Sequence, residues 1–412
     1  MIKPKFVLIL LIVSIGCKKE CLPVSTLLDG VNIIKYSDEK FNILSSLSNA
    51  RNFYLDKNGF IYLTALDEAG NRDPELIKLN DKYEKLWSNK FQGDVSYIEM
   101  NLIPLSNSQM EVLFSNYNSP SQSIVLRKFN SNGLLISTFY FNSKNKFIRS
   151  RFATQLQDSD FIISSATRSN YSSIIKKAEI LRIKPDGTEL WNKSFDEEYK
   201  FNPRSVGIVN SKDAIYYLTE STGEIANEKD SLNFRILDLN GNIIIERAIQ
   251  TDASVFPETS EVLQNINQEF LIVYTAIDDN DCNYEDLYMV KLDLKGKELW
   301  RIRYGTQESE VSNKTIQTKD GGYICVATLY RNHNTSLDNI NTANSDLLLI
   351  KINHNGDITW ANSYGGNSLE AGVSIIEKSN GNFLILGAST NNTPYSIYYP
   401  FFLEVDPNGR PL

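Results

Sequence analysis

All four tryptophans of this 412-residue chain stand at one phase of a repeat. Trp87, Trp191, Trp300 and Trp360 each follow a turn residue by four positions, namely Tyr83, Gly187, Gly296 and Gly356. Carrying the marker along the chain gives Tyr83, Gly133, Gly187, Gly241, Gly296, Gly356 and Gly409, at intervals of 50, 54, 54, 55, 60 and 53 residues. Four residues past the tryptophan position sit Phe91, Phe141, Phe195, Ile249, Tyr304 and Tyr364, every one apolar or aromatic. A period of this size means units that cannot bury their own faces and must stack on their neighbours.

Within each copy the pattern is that of short strands. The runs at 60–63, 161–164, 270–274 and 383–386 are branched or aromatic and bounded by Gly, Asn, Asp or Ser. Asn58-Gly59, Asp320-Gly321-Gly322 and Asn380-Gly381 supply turn chemistry ahead of the second strand of their copies. Beyond the first twenty residues no helical period is sustained. Four strands in about 54 residues predict an all-β fold, a seven-bladed β-propeller of four-stranded antiparallel blades. The blades fall at about 45–91, 92–141, 142–195, 196–249, 250–304, 305–364 and 365–412. The tryptophans and the aromatics after them read as wedges between blades.

The last copy stops at Leu412, one residue short of its tryptophan position and without a fourth strand. Aligning Val31–Tyr36 with Leu299–Tyr304 puts Tyr36 on the aromatic position. That alignment predicts that residues 30–36 supply the outer strand of the seventh blade and close the ring, which then spans 30–412 and leaves no free edge.

The N-terminus is an address. Lys3 and Lys5 precede an apolar run, Phe6–Val13, and Ser14-Ile15-Gly16 leads into Cys17. The run is too short to span a bilayer, which takes roughly 20 residues of helix. Small residues ahead of a cysteine resemble the lipobox of bacterial lipoproteins. The resemblance implies that residues 1–16 are a signal peptide, that Cys17 is acylated with palmitate-type chains, and that 17–29 tether the propeller to a membrane. An ordinary secretory signal with an incidental cysteine is the competing reading. The charged Lys18-Lys19-Glu20 resembles lipoproteins of Bacteroidota and implies a lipid-anchored protein of the cell envelope, on the outer membrane, facing the periplasm or the surface. Cleavage takes two lysines away and moves the net charge from −8 to −10. With so acidic a balance there is no basic field for a phosphate backbone, so nucleic acid is no partner.

The repeat units Asp320-Gly-Gly-Tyr323, Asp346–Gly356–Trp360 and Tyr364-Gly-Gly366 resemble the propeller repeats common in exported Bacteroidota proteins. They are distantly similar to the tryptophan-docking blades of quinoprotein dehydrogenases, whose adjacent cysteine pair, calcium and catalytic Asp have no counterpart at the matching positions here. Sialidase-type boxes place Trp three residues after the turn glycine rather than four. No active site is carried over, and fold does not transfer activity.

Chemistry is sparse. His333 and His354 are the only imidazoles, and neither has a local Ser or Cys nucleophile. Cys325 lies in an apolar run and reads as a packed small hydrophobe. Asp279, Asp281, Asn283 and Glu285 alternate along one loop and form a candidate calcium site, the only cofactor considered; Tyr284 stands where such loops place glycine, and a solvated acidic loop is the alternative. Long second-to-third-strand connections at 66–74, 166–177, 219–232, 276–286, 329–346 and 388–398 mark the working face. Candidate binding residues there are Tyr171, Tyr330, Arg331, His333, Tyr395 and Tyr398, with Glu308, Glu310 and Glu370 at blade junctions; packing within their own blades is the competing role for the aromatics. Two functions follow. One is a non-catalytic propeller presenting this face to a protein or polysaccharide; the other is a glycan hydrolase or lyase using its carboxylates.

Overall fold

The computed structural model describes residues 34–412 apart from 38–40, 45–46, 68–73, 92–99, 106–108, 117–122, 143–146, 169–174, 196–200, 211–212, 223–230, 252–253, 256–260, 278–284, 307, 332–343, 367 and 391–398. Seven sheets follow one another along the chain, and no helix occurs among the described residues. Blade six shows the unit: Ser309–Gln317, Tyr323–Arg331, Asn344–Ile352 and Ile358–Tyr364 pair antiparallel in chain order. The first strands of successive blades are mutual neighbours, so they ring the axis and the fourth strands form the rim. Blade five departs from the pattern, its inner strand being split into Ser254–Val255 and Glu261–Gln264.

The turns between third and fourth strands explain the repeat marker. Asp293 caps its own turn by accepting the amides of Lys295 and Lys297, both at 2.8 Å, while Gly296 at φ 73° donates to the Asp293 carbonyl at 2.9 Å. The strand pairing shifts by one residue just beside it, between Lys291 and Leu292. Such a turn needs a left-handed residue to absorb the extra position, hence glycine.

Packing is arranged between blades. Seven buried apolar clusters occur among the described residues, and each joins two neighbouring blades. The rim residues lock the same junctions. A Cβ on Gly133 would stand 2.6 Å from Trp87, and one on Gly409 would stand 2.8 Å from Trp360, so each indole lies against the marker turn of the next blade. Trp191 and Trp360 donate their Nε1 protons, both at 3.0 Å, to the carbonyls of Leu239 and Pro407, two residues before the next marker. Tyr304 and Tyr364 donate their hydroxyls at 2.6 Å to the carbonyls of Gly356 and Gly409. Trp300 packs into the apolar layer between blades five and six.

The ring closes through an N-terminal strand of blade seven, but not through the residues that sequence alignment selects. Ile34–Tyr36 pairs parallel to the outer strand of blade six, with Tyr36 beside Tyr364 and their rings stacked at 5.3 Å. Asn42–Ile43 supplies the closing pairs instead, antiparallel to Tyr399–Val405 through Phe402 and Phe401. The Leu44 amide donates to the Pro400 carbonyl at 2.8 Å, just as the Phe91 amide donates to that of Pro74. Leu44, not Tyr36, therefore occupies the repeat's aromatic position. Alignment by residue type failed because two tyrosines stack equally well across a parallel pair, and aromatic identity does not encode strand direction. Phe41 stacks on Phe401 at 3.9 Å. The other half of that outer strand comes from the C-terminus, where Pro411 bridges Val405 and the Leu412 amide reaches the Glu404 carbonyl at 3.0 Å. Asn42–Ile43 and Pro411 thus both pair along the outer side of Tyr399–Val405.

Tyr83 alone replaces glycine among the markers. Tyr83 holds φ at 64° and stacks on Phe402 at 5.1 Å. The left-handed conformation costs a non-glycine residue about 1 kcal/mol, which the buried ring contact offsets. Deleting residues up to 37 should remove the rim strand together with the Tyr36–Tyr364 stack and the Lys35 contact to Asp346. Deleting up to 44 should cost about 3 kcal/mol more, because Phe41 and Leu44 leave the seam at about 1.5 kcal/mol each. Urea denaturation of the two truncations measures the difference.

Candidate functional site

On the face that carries the long connections, two junctions repeat one arrangement of acids. Asp286 and Asp346 each lie near the start of the third strand of their blade, Gly305 and Gly365 each follow the aromatic at the end of the fourth, and Glu310 and Glu370 lie at the start of the first strand of the next. All four carboxylates are fully buried. A Cβ on Gly365 would lie 2.3 Å from Asp346 Oδ1 and 2.9 Å from Glu370 Oε2. The two acids are thus within about 5 Å of each other, a separation at which paired carboxylates can do chemistry. A Cβ on Gly305 would overlap Asp286 Oδ1 at 1.8 Å. Glycine is required at both places by close approach.

Charge at these junctions is matched locally. Arg331 donates to Asp346 Oδ2 through Nε at 2.8 Å, its Nη2 lies 2.7 Å from the same oxygen, and Lys35 approaches to 3.3 Å. Arg331 also reaches Ser363 Oγ at 3.3 Å. Glu370 accepts from Ser389 Oγ at 3.2 Å and from the Gly366 amide at 3.3 Å. At the other junction Arg303 Nε donates to Asp286 at 2.5 Å, and Glu310 accepts the Thr306 amide at 3.1 Å and the Thr306 hydroxyl at 2.5 Å. Burial pushes the Glu310 carboxyl well above the usual carboxylate range, and the charges of Asp286 and Glu308 push the same way against the Thr306 bonds. Glu310 therefore keeps its proton where surface carboxylates have lost theirs.

A general acid or base has to touch its substrate. These four are fully buried in the structure. They lie where the start of a third strand approaches the start of the neighbouring first strand, at the base of the long connections. The strands are joined there by the Glu285 amide donating to Ser309 Oγ at 3.2 Å and by Ser345 Oγ donating to the Glu370 carbonyl at 2.8 Å. Sequence reasoning singled out Glu310, Glu370 and Arg331 without Asp286 and Asp346. The signal was present as two copies of Asp, seventeen residues, Tyr-Gly, four residues, Glu.

Other sequence candidates lie apart. Tyr330 is 38% exposed at the end of a second strand, opposite Ser309 and Ser345. Glu308 is half-buried, its amide donating to Thr306 Oγ1 at 3.0 Å. Glu285 heads a third strand with its amide on Ser309 Oγ at 3.2 Å. Tyr171, His333, Tyr395, Tyr398, Asp279, Asp281, Asn283 and the lipidation residue Cys17 lie outside the described residues. Cys325 is fully buried, and burial raises its thiol to about 12, which leaves it unreactive.

Two stability predictions follow from these charges. Arg331→Ala should cost about 3 kcal/mol by leaving the buried Asp346 carboxylate with Lys35 alone, and Asp346→Asn added to it should restore most of the loss in urea denaturation. For Glu310 the folded carboxyl holds its proton more tightly than the unfolded one, so its contribution is complete below the ordinary carboxylate range and is lost as pH rises through the folded value. Glu111 behaves alike, burial raising it to about 7 against a weaker opposing pull from Lys128. Glu111→Gln should flatten the fall in melting temperature between about pH 4.5 and 7, and Glu310→Gln should flatten it further.

No protein-family model and no curated protein matches this chain. Solved structures do resemble it. A polysaccharide lyase described as an ulvan lyase superposes with a TM-score of 0.55 at 10% identity, over 89% of this chain and 94% of the lyase. A puromycin hydrolase superposes with a TM-score of 0.54, also at 10% identity, over 89% of this chain. The chain spans about half the length of that hydrolase, 53%. At such identities the likeness is one of fold, a seven-bladed propeller shared with enzymes of unlike chemistry.

Proposed function

We propose that this protein is a lipid-anchored, non-catalytic propeller of the cell envelope that holds a protein or polysaccharide partner on its long-connection face. The observation that carries the reading is the burial of Asp286, Glu310, Asp346 and Glu370. Among the described residues these acids lie at the roots of the long connections, shielded from solvent. A rigid ring with variable loops on one face suits recognition. The mature charge of −10 repels polyanions at long range, so a neutral glycan or a basic protein surface is the matching partner. Acyl chains on Cys17 would hold that face at the membrane, since more than one chain is needed for stable anchoring.

The second reading is a glycan lyase or hydrolase. It is supported by the full-length likeness in fold to a polysaccharide lyase, with carboxylates of the same face as acid and base.

Affinity purification of the lipidated protein from its native envelope tests the first reading. A partner or glycan retained by the wild type is expected, and an empty eluate counts against it. Incubation with ulvan and with neutral polysaccharides, followed by ultraviolet absorbance for unsaturated ends and by reducing-sugar release, tests the second; turnover by the purified protein would replace binding with catalysis. Cys17→Ala should abolish incorporation of labelled palmitate and move the protein from the membrane to the soluble fraction.

A further inference from the structure

The face opposite the long connections has a cavity of about 490 Å³ at the closing seam, between blades seven and one. Its floor is aliphatic, made of Leu55, Ile61, Ile376 and Leu384. Tyr54 and Tyr83 also line it. The turns at its mouth carry Asp56, Lys57, Asp81 and Glu377. This is the junction at which the marker glycine has become a tyrosine.

We infer that the seam cavity is a binding site for a neutral sugar residue, distinct from the long-connection face. The volume lies in the range of small-molecule sites. A pyranose ring has an apolar C–H face and a girdle of hydroxyls, and the cavity offers a counterpart to each. Aliphatic floor and tyrosine ring take the C–H face. The carboxylates at the mouth accept from the hydroxyls. Asp56 is held by the same turn cap as Asp293: its Oδ1 accepts the amides of Asn58 and Phe60 at 2.8 and 3.0 Å, which orients the carboxylate before any ligand arrives. Tyr83 is fixed as well, one ring face being stacked on Phe402. Its left-handed backbone is the kind of local strain that concentrates at ligand sites.

Charge selects a neutral sugar. The mouth has three acids, Asp56, Asp81 and Glu377, against Lys57 and Lys378, with the Lys319 ammonium on the Lys378 and Ser379 carbonyls beside them at 2.6 and 3.2 Å. Lys378 is occupied by Glu404, whose two oxygens both lie at 2.9 Å from its ammonium. A uronate or sulfated residue would meet net negative charge. An aromatic side chain of a partner would bring no hydroxyls to these carboxylates.

The test is saturation-transfer NMR and titration of the purified full-length protein with maltose, cellobiose, lactose and mannobiose. Binding of at least one, with Kd on the order of 1 mM or below, is expected. Ser379→Trp plugs the mouth from an exposed turn, and Tyr83→Gly restores the residue of the other six copies; each should weaken binding tenfold or more at unchanged melting temperature. The inference is overturned if none of the four disaccharides binds, or if affinity is unaltered in Ser379→Trp. The latter result would place the sugar on the long-connection face and leave the function proposed above intact.

Discussion

A four-stranded sheet with two apolar faces cannot exist alone in water, and every other feature of this protein follows from how that problem is solved. Strands such as Phe270–Ile277 and Tyr323–Arg331 bury nearly every residue on both sides. Each blade therefore needs a neighbour on either face, and a row of blades has no end except a ring. The seven apolar layers between blades are the core, divided into seven. At about 2 kcal/mol for each fully buried large side chain, any one layer outweighs the few hydrogen bonds of the closing strand. The strand sets which ends meet; the layers hold them there.

The rim contacts convert that general demand into a specific register. Trp87 over Gly133 and Trp360 over Gly409 are two halves of one device, an indole and the absence of a Cβ. The seam inverts it. The marker glycine becomes Tyr83, whose ring stacks on Phe402 across the seam. The cavity beside it combines an aliphatic floor with a tyrosine and charged turn residues.

The polar interior follows a similar economy. Buried acids are costly unless neutralised or paired. Here Asp346 is matched by Arg331 and Lys35, while Glu310 keeps its proton beside Asp286. These groups lie where long connections leave the ring, so the loops depart from anchored strand ends. Arg331 illustrates how a residue type that suits recognition can be spent on the scaffold: its guanidinium is already turned inward to Asp346 and Ser363. Nothing in the residue type distinguishes the two uses, because the partner acid lies fifteen positions away and is brought near only by strand pairing.

Much of the fold was legible in the sequence because a repeat writes the same local constraint seven times. The phase of Trp and Gly, the Asn and Asp turns and the missing last strand determined the blade count, the all-β class and the need for an N-terminal segment to finish the ring. Tertiary structure decided what depends on direction and on distance in space. Phe41–Leu44 closes the ring and Tyr36 does not, because strand polarity and backbone register choose among aromatics that look alike in sequence. Asp286 meets Glu310, and Asp346 meets Glu370, because neighbouring blades bring together residues more than twenty positions apart. The seam cavity exists only in three dimensions, since its lining comes from blades one and seven, which are far apart in sequence and adjacent only in the closed ring.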